Sequence, residues 1–364
     1  MSNDLIKCVD FCGKCKQLFK DDVTYTCSTP DCSGLRFAGS MNNQHLKKKQ
    51  HFFATIPLSN QLVEITDRLQ VKPASLTFNT DGVPLYNSSS LWPVVIVIND
   101  LPPSQRFATQ NVLLWGLWQG IGKPVFRPYL KPMVDELNVI YKQGLDCSIG
   151  RIYPKLTVGT MDLQAKAYVM EMTQHNGSHG CLTCEEPGQS CQQGKGTSKG
   201  YPFREETPTL RTTESILDNA SFALNSKEKY VKGIRSESVL FDIKYFDPSE
   251  SLVPDYMHGV LLGTTKQLLC LWFDKGSKEP YNISKVVKDV DARLSCIRPT
   301  DDIPRLPRKL EGTKQHWKAS ELQNWLLFYG IPCLDGILPR PYFDNFCHLV
   351  TTDIYASWGH YFRF

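Results

Sequence analysis

Two aspartates and three sets of thiols give this chain its candidate chemistry. Asp81 closes a β-type run in which Leu76 and Phe78 alternate with Thr77 and Asn79, and it stands in Thr80-Asp81-Gly82. Asp162 closes a second run, with Leu156, Val158 and Met161 spaced through polar or small residues. A carboxylate at the end of a strand offers oxygen ligands to a hard cation. Two such acids that converge can hold Mg2+ or Mn2+ for phosphoryl transfer. An aspartate before glycine is also ordinary turn chemistry, so residue type alone leaves both readings open.

The thiols are arranged for zinc. Cys12-x-x-Cys15 and Cys27-x4-Cys32 flank a β-prone linker, Val23 to Thr26, with Cys8 just upstream. Four thiolates satisfy tetrahedral Zn2+, and binding would stabilise a segment with little core of its own. Unpaired cysteines in a disordered tail are the competing reading. Cys181-x-x-Cys184, after His175-Asn176-Gly177, has the spacing of a zinc knuckle.

Weaker candidates follow. Asp255 and His258, in Pro254-Asp-Tyr-Met-His258, are three apart and can be metal ligands, a hydrogen-bonded pair, or a helix cap beside a packed histidine. Glu321 falls in the first turn of an apolar helix, where a carboxylate favours the helix dipole. Lys47, Lys48 and Lys49 form a short basic run suited to phosphate, to a nuclear import signal, or to a solvated linker. Gly120-Ile-Gly122-Lys123-Pro124 lacks the frame of a phosphate loop, and proline follows its lysine, so it reads as a turn.

Bulk properties narrow the class. The chain has 364 residues, 41% hydrophobic and 21% charged, as in ordinary globular proteins. Its formal charge of +4 makes it no polycation, so nucleic-acid binding would need local patches. Five of 13 cysteines fall in the first 32 residues, behind an N-terminus without the apolar core of a signal peptide. No apolar run approaches the ~20 residues of a membrane span. The expected setting is intracellular and reducing, where clustered cysteines hold metal more often than they form disulfides.

The elements that must position these residues alternate. Gln61 to Leu69 has helical spacing, Ser75 to Thr80 is a strand, and Trp92 to Ile98 is a β-branched buried strand. Residues 128–143 form an amphipathic helix ended by Gly144. A strand then delivers Asp162, and Gln164 to Met172 is helical. This order gives an α/β domain with two strand-end acids. Gln189 to Thr213 is polar and reads as an exposed loop carrying Cys191. Val260 to Phe273 and His316 to Gly330 read as apolar helices. The expected domains are a zinc-ribbon-like module at 1–40 and a linker with a helix at 41–74. The first part of a catalytic core follows at 75–188, then a polar loop and mostly helical insertion at 189–364.

Five ordered blocks carry a resemblance: TDGVPLYNSSSLWPVVIVINDLP, LWGLWQGIGKP through VDELNVIYKQG, MDLQAKAYV with HNGSHGCLTC, DYMHGVLLGTTKQLLCLWF and HWKASELQNWLLFYGIPCL. Together they resemble metazoan CACTA/EnSpm-type (Tnp2-like) transposases. The resemblance implies cut-and-paste DNA transposition by an RNase H-like core, with a DDE acid triad and catalytic Mg2+ or Mn2+. It matches Asp81 to the first acid and Asp162 to the second. It pairs Cys181 and Cys184 with two downstream histidines in a structural Zn2+ site, and places Asp255 and His258 in the segment inserted before the third acid. The implied partner is transposon-end DNA, the implied compartment the nucleus, and the expected form a homo-oligomer with no membrane association.

The chain departs from that pattern late. The third acid is expected in a phenylalanine-glutamate motif after a His-x-x-x-His helix, and His348 and His360 lack that spacing. Glu321 is the one late acid in a recognisable block, so the core is expected to be incomplete at its C-terminal end. The alternative function is a catalytically inactive transposon derivative that binds DNA or chromatin. A zinc adaptor would leave the strand-end acids unexplained.

Overall fold

The computed structural model describes residues 7–9, 12, 19, 26–34, 37–38, 48–49 and 52–358, apart from 86–88, 194–195, 203, 227 and 304. Cys15 and Lys47 lie outside the described residues. The chain divides into two compact units, Met1–Pro254 and Asp255–Phe364. No helix among the described residues is long and apolar enough to cross a membrane.

The first unit is a mixed α/β structure around an eight-stranded sheet. Its strands are β1 (Lys7–Val9), β2 (Phe52–Thr55), β3 (Ser75–Thr80), β4 (Val83–Pro84), β5 (Ser89–Ile98), β6 (Leu113–Ile121), β7 (Lys155–Met161) and β8 (Leu252–Pro254). They run in the order β1-β2-β6-β5-β3-β7-β8, with β4 paired to β5. Pairing is antiparallel from β1 to β3 and parallel from β3 through β7 to β8.

Period-two alternation builds the sheet. Trp92, Val94, Ile96 and Ile98 point to one side of β5, while Leu76, Phe78 and Thr80 do the same on β3; all seven are buried. Helices α1 (Leu58–Leu69) and α2 (Phe126–Gln143) supply Leu58, Leu62, Leu130, Met133 and Leu137 to the same core. Glu136 of α2 accepts from the Ser59 amide and hydroxyl, both at 2.9 Å, and from the Trp115 indole at 3.1 Å. One carboxylate therefore ties α1, α2 and β6 together. Helix α3 (Leu163–Val169) follows β7 directly.

Three elements differ from their sequence reading. Helix α3 stops at Val169 rather than Met172, because Glu171 takes a left-handed conformation (φ 53°) and Met172 bridges to Ile234. The polar stretch after Gln189 forms an antiparallel hairpin, Gln189–Gln193 with Gly196–Gly200. The segment expected to be helical contributes the last sheet strand, Leu252–Pro254, since Gly159 of β7 lets Leu252 approach closely.

The second unit is helical, around Leu261, Leu269, Trp272, Leu322, Trp325 and Phe346. Its apolar segments are not regular α-helices. Met257–Thr265 and Trp325–Tyr329 are wound as π-helix, running on into Lys266–Phe273 and Gly330–Leu334. Such widened turns are rare and leave no mark on simple apolar periodicity.

Candidate active-site cleft and metal-binding cysteines

Strands β3 and β7 lie side by side and parallel, so their C-terminal ends reach the same edge. Their register is not continuous. Lys155 and Leu156 pair with Ser75 and Leu76, and Thr157 is then passed over so that Val158 and Gly159 pair with Thr77 and Phe78. Continued onward, that shifted register brings Asp162 level with Asp81. Without the extra residue Met161 would stand there, and Asp162 would turn to the other face. Thr157 is held in the irregularity by the Ser75 hydroxyl at 2.6 Å and the Leu76 carbonyl at 3.2 Å. The Asn79 amide clamps the strand ends by donating to the Thr160 carbonyl at 2.7 Å.

Asp81 and Asp162 both line one cleft of about 340 Å3. Asp162 also caps α3, accepting from the Ala165 amide at 2.6 Å through Oδ1. Asp81 Oδ1 accepts from its neighbour, the Gly82 amide, at 2.7 Å. Glycine is required there: a Cβ would sit 2.6 Å from the Trp92 ring that walls the cleft. Asp162 keeps a second oxygen for a ligand, and two half-buried carboxylates in a cleft this roomy suit a hydrated divalent cation. The residues present therefore fit Mg2+ or Mn2+.

The sequence reading passed over Lys123. Of the stretch read as a turn, Gly120 and Ile121 belong to β6; the bend at Gly122 (φ 78°) then carries Lys123 into the same cleft, with its ammonium 3.0 Å from the centroid of the Tyr168 ring. Burial, then the positive charge of Arg235, pull its pKa down to about 8, against an upward pull from Glu171. Burial holds Glu171 above the usual carboxylate range, although Lys123, Arg235 and Arg127 oppose it. No loop motif announces this lysine; its role is visible only once β5, β6 and α3 are assembled around it.

Among the N-terminal thiols, Cys12, Cys27 and Cys32 place their sulfurs within 4.8 Å of one another, with Cys12 and Cys32 3.6 Å apart. Zinc–sulfur bonds of about 2.3 Å at tetrahedral angles require roughly this spacing, so the three fit Zn2+. Cys15 is the fourth sulfur the sequence offers. Lys48 and Lys49 form a short strand whose backbone pairs with Phe37–Ala38.

The remaining candidates are not gathered into ligand sets. Cys184 donates its amide to the Cys181 sulfur at 3.4 Å, the turn a zinc knuckle uses. Burial raises the Cys181 thiol, but the amides of Thr183 and Cys184, the Cys184 thiol and Arg211 together bring it below its ordinary value. No third histidine, cysteine or carboxylate joins this pair among the described residues. In the second unit, His258 donates its amide and Nδ1–H to Asp255 Oδ2, at 2.9 and 2.7 Å. Of the readings open for this pair, that geometry is the helix-start hydrogen-bonded pair, with Nε2 left as the ligand-capable nitrogen.

Glu321 is fully engaged. The Arg308 guanidinium donates to both carboxylate oxygens, at 2.5 and 2.8 Å, and the Lys318 amide donates to Oε2 at 2.9 Å. These are the bonds of a helix start clamped by an arginine, and they occupy the lone pairs a catalytic cation would need.

Comparison with protein families adds one finding. Residues 66–204 match the transposase family tnp2, a stretch that contains Asp81, Lys123, Asp162 and the Cys181–Cys184 pair. Over these residues the chain is similar to that transposase family. Among curated proteins none matches the chain.

Proposed function

We propose that the first unit is the core of a transposon-derived DDE-type transposase of the CACTA kind, with an RNase H-like fold and Asp81 and Asp162 as its first two acids. The observation that carries the reading is their delivery from the ends of adjacent parallel strands into one cleft. The family match over both residues supports it. Asp81 and Asp162 would hold Mg2+ or Mn2+, whose bound form supplies an activated water and charge stabilisation at the scissile phosphate. The chain's own part is orientation. The passed-over Thr157 sets the level of Asp162, the α3 amide fixes one of its oxygens, and Trp92 packs against the Gly82 backbone. On this reading Cys12, Cys15, Cys27 and Cys32 hold structural Zn2+, Cys181 and Cys184 give two ligands to a second zinc, and the chain acts on transposon-end DNA in the nucleus as a homo-oligomer.

A second reading is a DNA-binding protein without chemistry, and one observation favours it: Glu321, the late acid in a recognisable block, is committed to Arg308. One experiment separates the two. The full chain is incubated with terminal-repeat duplex DNA and Mn2+, and nicked product is measured for the natural protein, Asp81→Asn and Asp162→Asn. The DDE reading expects Mn2+-dependent nicks that fall at least about a hundredfold in each variant. DNA retained without nicks in the natural protein would establish the binding-only reading instead.

A further inference from the structure

We propose that Lys123 and Arg235 form a phosphate shelf at the rim of the Asp81–Asp162 cleft, binding the DNA backbone next to the phosphate the acids address. The inference rests on the DNA reading above and assigns a contact that the acids cannot make themselves.

Three observations carry it. First, Lys123 lines the cleft that both aspartates line. A cation there is placed for a phosphate oxygen close to the metal-binding edge, not for a distant stretch of backbone. Second, the two cations are uncommitted. The Lys123 ammonium lies on the face of Tyr168. Arg235, exposed, is tied into the fold through its amide, which donates to the Glu171 carbonyl at 2.9 Å. Among the described residues neither side chain forms an ion pair or a hydrogen bond. Arg127 in the same cluster is spent: its guanidinium donates to the Glu237 carbonyl and reaches Asp242.

Third, basic groups gather beside the acids. Lys123, Arg127 and Arg235 lie within electrostatic reach of Glu171, and of the three Arg127 is already paired, with Asp242. The charge of Arg235 disfavours the charged state of Lys123, a repulsion that an incoming phosphate dianion or diester would relieve. At about 8, the pKa of Lys123 leaves the ammonium charged at neutral pH. The Tyr168 ring shapes the shelf as well, since it holds the ammonium against its π face. For a chain of net charge +4, such a local patch is what DNA affinity has to come from.

The test measures binding of a short random-sequence DNA duplex to the full chain by fluorescence anisotropy, in EDTA and across a range of KCl. Each lost phosphate contact lowers the slope of log K against log salt by about 0.9, so Lys123→Gln with Arg235→Gln should lower it by roughly 1.8. The charge-preserving pair Lys123→Arg with Arg235→Lys should keep the natural slope. A control pair at exposed lysines elsewhere, Lys72→Gln with Lys142→Gln, should also keep it. An unchanged slope in the first pair overturns the shelf, and so does an equal loss in the control pair, which would mean bulk charge alone is at work. Should the glutamine pair unfold, Arg235→Gln alone, at an exposed side chain, must still remove about half the change.

Binding of Mn2+, followed by electron paramagnetic resonance, keeps this outcome apart from the catalytic reading. Shelf variants that bind Mn2+ as the natural protein does, with a reduced salt slope, support both. A natural protein that neither binds Mn2+ nor nicks, yet shows the slope change, sinks the chemistry and leaves the shelf. Nicking with an unaltered slope sinks the shelf alone.

Discussion

Asp162 performs two tasks with one side chain, and they can be separated by substitution. Its Oδ1 caps α3, while the carboxylate as a whole faces the cleft beside Asp81. Asparagine caps a helix about as well as aspartate, whereas alanine costs about 1 kcal/mol. Asp162→Asn should therefore melt near the natural protein, and Asp162→Ala should melt about 2–4 °C lower. Both should lose Mn2+ binding, because neither offers a charged oxygen. Equal melting of the two variants would mean the cap contributes nothing. Glu321 behaves differently. Burial raises its pKa, but the Arg308 bonds, the Lys318 amide and Arg305 outweigh that and hold it below the ordinary value. A carboxylate depressed in the folded state contributes stability above its unfolded pKa, about 4.3, and loses it as pH falls further through the folded value. Urea unfolding should show this acid-side loss in the natural protein and a shallower one in Glu321→Gln. The same slope below pH ~4 in both would remove Glu321 from the account.

At the scale of elements, the cleft depends on how closely β7 is flanked. A Cβ on Gly159 would lie 2.4 Å from both Leu252 of β8 and Phe78 of β3. Gly159→Ala should destabilise the first unit by about 1–3 kcal/mol, and should weaken Mn2+ binding by misaligning Asp162 against Asp81. Hydrogen exchange should show the loss first in Leu252–Pro254, and retained protection there would refute the wedge. This crowding also marks what could be read from residues alone. The β-branched run ending at Ile98, the Leu130 to Ile140 face and the two strand-end acids were legible, because burial on one side of an element leaves a period in the sequence. The passed-over Thr157 was not, since register is set between strands that are roughly 80 residues apart. Lys123 was invisible for the same reason: it follows the bend at Gly122 just past the end of β6, and only the packing of Tyr168 and Trp92 makes it part of a site. The strand Leu252–Pro254 was hidden because three residues carry too little alternation to announce a strand. The trio Cys12, Cys27 and Cys32 was legible, because metal-ligand spacing is written along the chain itself.

For the whole molecule, charge decides how DNA association and chemistry are divided. The 41 basic and 37 acidic residues nearly cancel, so long-range attraction to DNA is weak and each local charge near the cleft counts. In the absence of divalent cations, Asp81 and Asp162 place two negative charges where a phosphate must approach. Replacing both with asparagine takes the formal charge from +4 to +6 and removes that repulsion at its source. The double variant should therefore bind duplex DNA in EDTA at least as tightly as the natural chain, by a margin that shrinks as salt is raised. In Mn2+ the order should reverse. The natural chain gains affinity as the cation neutralises its carboxylates and bridges to the phosphate, and the variant gains nothing. Anisotropy titrations with and without Mn2+ test this crossing directly. Weaker binding by the variant in EDTA would mean that the two aspartates hold the cleft in shape rather than repel the backbone, and the acids would then belong to the fold and not to the chemistry.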